Sequence, residues 1–350
     1  MASRSMRVTA CVICWNSADQ LPGVLDSLAA QTHPDLEVLV VDNASADDSV
    51  AVVGARGDVT LIRNGANLGF AAAANVGLSH ARRAGSDAFM TINPDVCLEP
   101  GYIAEAVAAL AAHPRRAAVQ GRLWRFDPLE GPRHDLATSE RVIDTTGHMA
   151  FRTRLFRNRG EGEPDADRWE EAGEVFGVSG AVALYLVAAL DDVAIDGQAF
   201  DEALFAFWED VDLDWRLRLR GWHAWYAPAA HGWHERGGAG PRRSAVVERL
   251  NYANRFHVVL ANDDWTSLLR ASPGIVVTTG LKTAELIVTV PSAFVRSLAD
   301  VQRIPRTLAR RRLVLASTTV DAAEVAVTWF APFDYARWVR TWWARVRPRS

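Results

Sequence analysis

The sequence predicts an α/β protein with a Rossmann-like, mostly parallel central sheet flanked by helices. Three observations point there. Over the first 122 residues, short apolar runs alternate with helix-length amphipathic segments, the pattern of repeated strand–helix–strand units. The chain has 350 residues, 49% of them hydrophobic, which is ample for a buried core. Its three cysteines are too few for a disulfide framework, and no glycine period or apolar-poor composition marks a fibrous or disordered chain.

Apolar runs at 8–14, 37–41, 59–62, 88–92 and 117–120 read as strands, and the segments at about 19–30, 47–53, 70–84 and 100–112 between them read as helices. In such a sheet the ligand crevice lies at the carboxyl ends of the strands. The first suspects are therefore Trp15-Asn16, Asp42-Asn43, Asn64 and Asn93-Pro94-Asp95. Segment 123–173 is rich in Arg, Asp, Gly and Pro and has little periodicity, so it reads as an insertion: an acceptor-facing lid or a variable surface loop. Order resumes at 175–190, with a helix at about 209–220, a strand at 222–226 and a helix at 244–261. The rest is helical in composition. This gives a first domain, 1–262, and a helical C-terminal extension, 263–350.

Residues 1–7 contain no apolar core of a signal peptide, and no stretch reaches the roughly 18 uncharged apolar residues of a spanning helix. The expected setting is reducing and cytoplasmic. Cys11 and Cys14 have the spacing of a redox pair, but inside an apolar run they are expected to be core thiols. The net charge of -4 is uneven. From Arg296 to Ser350, eleven arginines face Asp300, Asp321, Glu324 and Asp334, a balance of +7 against -11 for the remainder. Near the end, Trp329, Trp338, Trp342 and Trp343 interleave with Arg337, Arg340, Arg345, Arg347 and Arg349. That mixture suits an anionic membrane surface, or a terminal helix packing its tryptophans on the domain. No motif calls for a nucleic-acid partner.

Five segments could carry chemistry. Asp42, at a strand end, can accept hydrogen bonds from a base or ribose, while Ser45 and Asp47 can cap the next helix. The small residues from Asn67 to Gly77 let a helix N-terminus approach a ligand, or simply pack tightly. Asn93-Pro94-Asp95 fixes two side-chain oxygens at a turn; they suit Mg2+ or Mn2+ and hence a diphosphate, although the tripeptide is also plain turn chemistry. Glu209, Asp210, Asp212 and Asp214 place four carboxylates beside an aromatic cluster. Asp212 with Arg216 and Asp214 with Arg218 are expected as i,i+4 pairs on an exposed helix face. Glu209 and Asp210 then stand at the helix start, where the dipole favours ionised carboxylates and one can serve as a general base. His231 and His234 fall in a Gly-rich loop, as metal or phosphate ligands or as ordinary loop residues. The Gly-x-Gly-x-x-Gly turn of a dinucleotide oxidoreductase is absent, since the first strand ends Cys14-Trp15-Asn16-Ser17.

In their order and spacing, Val40-Val41-Asp42-Asn43, Asn67-Leu68-Gly69 with Asn75-Val76-Gly77, Asn93-Pro94-Asp95, Phe200-Asp201-Glu202 with Trp208-Glu209-Asp210-Val211-Asp212, and His234 resemble glycosyltransferase family 2, in its rhamnosyltransferase and galactofuranosyltransferase branch. The resemblance spans roughly 7–260. It implies a GT-A fold, a divalent metal (Mg2+ or Mn2+), inversion at the anomeric carbon, and a nucleotide diphosphate sugar donor, dTDP-rhamnose or UDP-galactofuranose or another hexose. The implied acceptor is a glycan or polyprenyl-linked sugar, reached from the inner face of the plasma membrane through the basic tail. By the same resemblance Asp42 would bind the donor's base or ribose, with Asn16 and Asn67 beside it and Asn43, Gly69, Asn75 and Asn93 in the same crevice. Asp95 would hold the metal, Asn93 standing where the family carries the first aspartate of its Asp-x-Asp motif. Asp210 would be the catalytic base and Glu209 would assist it or orient the acceptor. His234, with His231 in reserve, would ligate the metal or steady the leaving diphosphate. A non-catalytic scaffold of the same fold is the alternative.

Overall fold

The structure, a computed structural model, describes residues 5–235, 244–336 and 338–339. The chain forms two compact units. One comprises Met1–His148 with Arg157–Gly240, the other Met149–Phe156 with Pro241–Ser350.

The first unit runs β1 (Val8–Cys14), α1 (Leu21–Ala29), β2 (Leu36–Asp42), α2 (Ser49–Gly54), β3 (Val59–Arg63), α3 (Phe70–Ala84), β4 (Ala88–Ile92), β5 (Val96–Leu98), α4 (Tyr102–Ala111), β6 (Arg116–Arg125) and β7 (Ile143–Thr145). The chain then passes through β8 (His148–Phe151) and β9 (Phe156–Asn158), whose residues Met149–Phe151 and Phe156 belong to the second unit, and returns to the first with β10 (Gly173–Val175), β11 (Val182–Leu186), α5 (Val187–Asp192), α6 (Glu209–Leu219) and β12 (His223–His234). The sheet order is β10-β12-β6-β11-β4-β1-β2-β3, with β5 on β12 and β7 on β6. Strands β4, β1, β2 and β3 pair in parallel, as does β6 with β12, whereas β11 lies antiparallel to both β4 and β6. The sheet is therefore mixed.

Strand alternation divides the core. Val8, Ala10, Val12 and Cys14 face α1 and α4, while Cys11 and Ile13 face α3 and α6 across the sheet. Fully burying each such aliphatic side chain contributes about 1.5–3 kcal/mol. The same alternation sends Cys11 and Cys14 to opposite faces. Both are buried, and burial pushes the Cys14 thiol up to about 12, so they are core residues.

Strands β1 and β4 have the extents expected from the sequence. Strands β6 and β12 run much further, because they pair along their length despite a break between Ala227 and His231. Pro228 lies in that break, where a residue without an N–H can sit in a sheet. His231 and His234 therefore stand in a strand, not in a loop. Segment 123–173 is pinned rather than loose: buried Arg122 bonds to Asp165, Glu170 and the Trp169 carbonyl, and Trp124 donates to Asp165 at 2.7 Å.

In the second unit α7 (Ala245–Asn262), α8 (Trp265–Thr289), α9 (Pro291–Ser297), α10 (Ile304–Ala316) and α11 (Ala322–Trp329) pack together, and β13 (Phe330–Ala331) pairs with Ala150 and Phe151. Helix α7, expected with the first domain, lies in this unit because it packs on α9 and α10. Buried Arg154 joins the segment 149–156 to it, bonding Asp263 at 2.6 Å and Ser267. Among the described residues no helix is long and apolar enough to cross a membrane. Of the interleaved tail, Arg337, Arg340, Trp342, Trp343, Arg345, Arg347 and Arg349 lie outside the residues whose side chains are described.

Gly121 of β6 donates its N–H to the Tyr102 hydroxyl at 3.1 Å, and a Cβ there would overlap the Ala230 carbonyl oxygen and the Tyr102 ring. Gly121→Ala is expected to destabilise the protein by about 1–3 kcal/mol, read as a lower urea midpoint. An unchanged midpoint would show that β6 and β12 have room to separate.

Candidate active site

The carboxyl ends of β1 and β2 build a wall of polar side chains. Buried Asp42 closes β2 and accepts hydrogen bonds from the Ser45 N–H at 3.2 Å and the Cys14 thiol at 3.6 Å. Asn16, in a left-handed conformation (φ 51°), accepts from the Ala46 N–H at 2.7 Å and donates its own N–H to Ser45 Oγ at 2.9 Å. Asp47 likewise accepts from the Ala18 N–H at 3.0 Å. Ser45 and Asp47 thus tie the loops after β1 and β2 together, and the residue at the α2 cap is Asp48. Asn43 Nδ2 donates to the Gly69 carbonyl at 3.1 Å, and Asn67 Oδ1 accepts from the Gly69 N–H at 3.0 Å. Gly69 has φ +84°, and a Cβ there would overlap Phe205. Asn16, Asp42, Asn43, Asn67 and Gly69 are linked in this way. Asn75 is committed elsewhere, since its amide bonds the Phe200 carbonyl at 2.9 Å and the Phe200 N–H at 3.1 Å.

Strand register brings Asp95 to His234. In the antiparallel β5–β12 ladder Val96 stands opposite His234, and the Glu235 N–H donates to the Asp95 carbonyl at 2.9 Å. His234 Nε2 then faces Asp95 Oδ1 at 3.3 Å, while Nδ1 is 2.8 Å from Asp144 Oδ2. Burial alone would lower the His234 pKa, but the carboxylates of Asp144 and Asp95 outweigh it and raise it to about 9. Asp144 is in turn held by Arg125 Nε at 3.2 Å. A carboxylate that orients an imidazole is a common outer-shell arrangement of metal sites, and a divalent ion would take the place of the proton between His234 Nε2 and Asp95. The donor set fits: two ligands about 2.1 Å from one octahedral ion lie about 3 Å apart. Among the described residues no three His, Cys, Asp or Glu side chains form a complete cage. His231 stacks on Trp124, ring centroids 4.9 Å apart. Asn93, half-buried, donates its N–H to the Ala181 carbonyl at 2.8 Å.

Helix α6 starts from a strained approach. Phe205, Phe207 and Trp208 all have positive φ (63°, 67° and 74°), a conformation costing of order 1–3 kcal/mol per non-glycine residue. The strain is held by the Ala71 N–H, which donates to the Phe205 carbonyl at 3.1 Å. It leaves Asp210 at the first turn, with Oδ2 accepting from the Gly180 N–H at 3.0 Å and Oδ1 from the Val211 N–H at 2.8 Å. Glu209 differs from the ionised acid expected at a helix start. It is buried, and burial followed by the neighbouring Asp210 charge holds its pKa well above the usual carboxylate range. The expected exposed face is also buried. Asp212 does pair with Arg216 at 2.9 Å, but in the interior, where Arg216 also donates to the Val193 carbonyl. Asp214 does not pair with Arg218. It bonds His148 at 2.7 Å and the Val178 N–H at 3.1 Å, while Arg218 binds Glu174 and the Phe176 carbonyl. The reason is packing: α6 lies in the core beneath the sheet, and each arginine reaches backbone carbonyls there.

Asp144, which contacts His234, and His148, which contacts Asp214, are residues that the sequence did not single out. Both lie in the aperiodic segment, and their only local signal is the polar run Asp144-Thr145-Thr146-Gly147-His148.

The profile of "Glycosyl transferase family 2" matches residues 9–190. A curated relative, "N-acetylglucosaminyl-diphospho-decaprenol L-rhamnosyltransferase" of Mycobacterium tuberculosis, is 30% identical over 235 residues, 64% of this chain and 74% of the relative. Among solved structures, the mannosyltransferase PcManGT from Pyrobaculum calidifontis in complex with GDP-Man and Mn2+ superposes with a TM-score of 0.51 at 17% identity, over 93% of this chain and 88% of that one. GalNAc-T7 with UDP, GalNAc and Mn2+ gives 0.53 at 13% identity, over 77% of this chain and 54% of the longer GalNAc-T7 chain. At these identities the two structures speak to fold alone.

The buried acid offers a direct check. With its folded-state pKa raised above the unfolded value, the stability that protonated Glu209 contributes is present at low pH and is lost as pH rises beyond about 4.5. Glu209→Gln is therefore expected to gain stability relative to wild type between pH 5 and pH 8, measured by urea unfolding. A constant difference across that range would show Glu209 ionised in the folded protein.

Proposed function

Because the chain belongs to glycosyl transferase family 2, and is thus a glycosyltransferase of the GT-A fold, we propose that it transfers L-rhamnose from dTDP-rhamnose, with inversion, to a hydroxyl of a lipid-linked or cell-envelope glycan. The observation that carries this reading is the convergence of a donor wall around Asp42, an Asp95–His234 pair and the carboxylate of Asp210 at the carboxyl ends of β1, β2 and β4. The rhamnosyl choice is supported by the mycobacterial relative, whose name specifies an L-rhamnosyltransferase acting on a diphospho-decaprenol acceptor.

Asp42 accepts hydrogen bonds from the donor's base or ribose, with Asn16, Asn43, Asn67 and Gly69 shaping the pocket around it. A divalent ion, Mg2+ or Mn2+, held by Asp95 and His234 would supply positive charge to the diphosphate. Asp210 takes the proton of the acceptor hydroxyl; that oxygen bonds to the anomeric carbon from the face opposite the leaving group, and the bond from that carbon to the diphosphate breaks. One displacement inverts the configuration. Glu209, whose pKa burial holds well above the usual carboxylate range, is biased toward the protonated form and so suits orienting the acceptor as a donor.

A lipid-linked acceptor requires the enzyme at a membrane surface, which we place at the inner face of the plasma membrane. The outward face of α8 supports this. Trp265, Leu269, Val276, Val277, Ile287 and Val288 are exposed along it. Between 265 and 313 the exposed charges among the described residues are Arg270, Arg296, Arg306 and Arg312, while Glu285 and Asp300 are buried. An apolar ridge rimmed only by arginine matches an anionic bilayer.

Asp210→Asn is expected to lower kcat at least about 100-fold while leaving the dTDP-rhamnose dissociation constant within about twofold, measured by radiolabel transfer and calorimetry. Near-wild-type turnover would remove Asp210 from its role, and preferential binding of UDP sugars would move the donor assignment. The protein is expected to co-sediment with phosphatidylglycerol vesicles more than with phosphatidylcholine vesicles. Substituting Leu269, Val276 and Val288 together by Glu should abolish that preference, and retention by the triple variant would place the contact elsewhere.

A further inference from the structure

Asp210 has a neighbour that the mechanism above does not use. His148, the first residue of β8, is buried with its ring between two carboxylates of α6: Nδ1 is 2.7 Å from Asp214 Oδ2, and Nε2 is 3.7 Å from Asp210 Oδ2. The arrangement is held from every side. The His148 N–H donates to the Gly177 carbonyl at 2.8 Å, and the Val178 N–H donates to both Asp214 oxygens at 3.1 Å. The Gly180 N–H holds Asp210 at 3.0 Å. Gly177 has no room for a side chain, since a Cβ there would overlap the Asp214 carboxylate. With Nδ1–H committed to Asp214, the neutral ring presents its Nε2 lone pair to Asp210. An acid that fixes the tautomer of an imidazole facing the reacting group is the logic of a catalytic triad, applied here to a carboxylate base.

We infer that His148 is a positioning residue that receives at Nε2 the proton Asp210 takes from the acceptor, an inference that rests on Asp210 being the base. The acceptor O–H breaks and its proton passes to Asp210. The new oxygen–carbon bond forms as the carbon–diphosphate bond breaks. The proton then moves from Asp210 to Nε2, which leaves Asp210 ionised and an imidazolium between two carboxylates; that imidazolium afterwards gives its proton to water and returns to the neutral ring. The 3.7 Å between Nε2 and Asp210 Oδ2 is longer than a hydrogen bond, so the transfer needs the two groups to close by under about 1 Å, a change common at catalytic contacts when substrate binds.

The titratable groups facing His148 are Asp210 and Asp214 of α6; Glu209 of the same helix and Tyr185 of β11 act on those carboxylates in turn. Burial alone would lower the imidazole pKa, but the charges of Asp210 and Asp214 outweigh it and raise it above the ordinary 6.5. Burial lifts Asp214 to about 6 even with His148 bonded to it. The neutral ring is the competent acceptor, so activity that depends on it is present above the raised His148 pKa and is lost as pH falls through it.

The test is the pH profile of kcat/KM for wild type, His148→Gln and His148→Asn. Asn keeps an amide near the Nδ1 position for Asp214, so one variant preserves the packing. Wild type should show an acid limb above pH 6.5. In both variants the limb should move down by at least about one pH unit and plateau kcat should fall at least about tenfold, with donor KM within about twofold. A limb in the same place in both variants overturns the inference. Histidine-labelled NMR gives a second reading: the His148 titration midpoint should fall in Asp210→Asn, and an unmoved midpoint overturns it equally. An inactive Asp210→Asn with an unmoved acid limb removes only His148's role. Wild-type turnover by Asp210→Asn removes the base and this inference with it.

Discussion

Thr91, Asn93 and Asp210 all hydrogen-bond to one turn, residues 179–181, and the site depends on that turn. The Thr91 hydroxyl donates to the Gly180 carbonyl at 3.0 Å, the Asn93 N–H donates to the Ala181 carbonyl at 2.8 Å, and the Gly180 N–H donates to Asp210 at 3.0 Å. Strand β4 ends at Ile92 and leads directly to Asp95, so the same peptide that fixes the base candidate fixes the metal candidate. The turn is itself placed by the antiparallel β11, whose Val182 stands opposite Ile92. Each neutral bond contributes about 0.5–1.5 kcal/mol and a bond to a charged acceptor about 1.5–3. The total is modest, but it aligns two groups from chain segments more than a hundred residues apart.

Around that turn, burial assigns different fates to four acids of similar chemistry on one helix. Glu209 is pushed by burial well above the usual carboxylate range, Asp212 is neutralised by Arg216, Asp214 bonds His148 at 2.7 Å, and Asp210 accepts from two backbone amides. Environments that separate the protonation of adjacent acids are how a site obtains an acid and a base from one side-chain type. The cost is visible nearby, in the three left-handed residues that precede α6 and in buried charges that each need a partner.

Much of this was legible in the sequence, for a definite reason. Strands β1 and β4 are short apolar runs ended by polar residues, so their extents, and the places of Asn16, Asp42, Asn93 and Asp95 at or just beyond strand ends, followed from pattern alone. The burial of α6 did not follow, because an Asp-x-x-x-Arg spacing looks the same whether the arginine meets water or a carbonyl such as that of Val193. Pro228 hid the second half of β12, and with it the strand that carries His234. Asp144 and His148 were hidden more thoroughly. They occupy strands of three and four residues, and their partners lie 90 and 66 positions away, a separation that no local period encodes. Asn75 shows the converse: its place in a motif suggested the donor, whereas its amide fastens the loop at Phe200.

The account holds that the leaving diphosphate sits against Asp95 and His234 while the sugar faces Asp210. Crystals grown with Mn2+ and a non-hydrolysable dTDP-rhamnose analogue, examined by anomalous diffraction at the manganese edge, test that most directly. The account predicts an anomalous peak within coordination distance of Asp95 and His234, in contact with the diphosphate, and an anomeric carbon on the Asp210 side. An ordered nucleotide with its metal away from Asp95 and His234, or a sugar turned from Asp210, would contradict it.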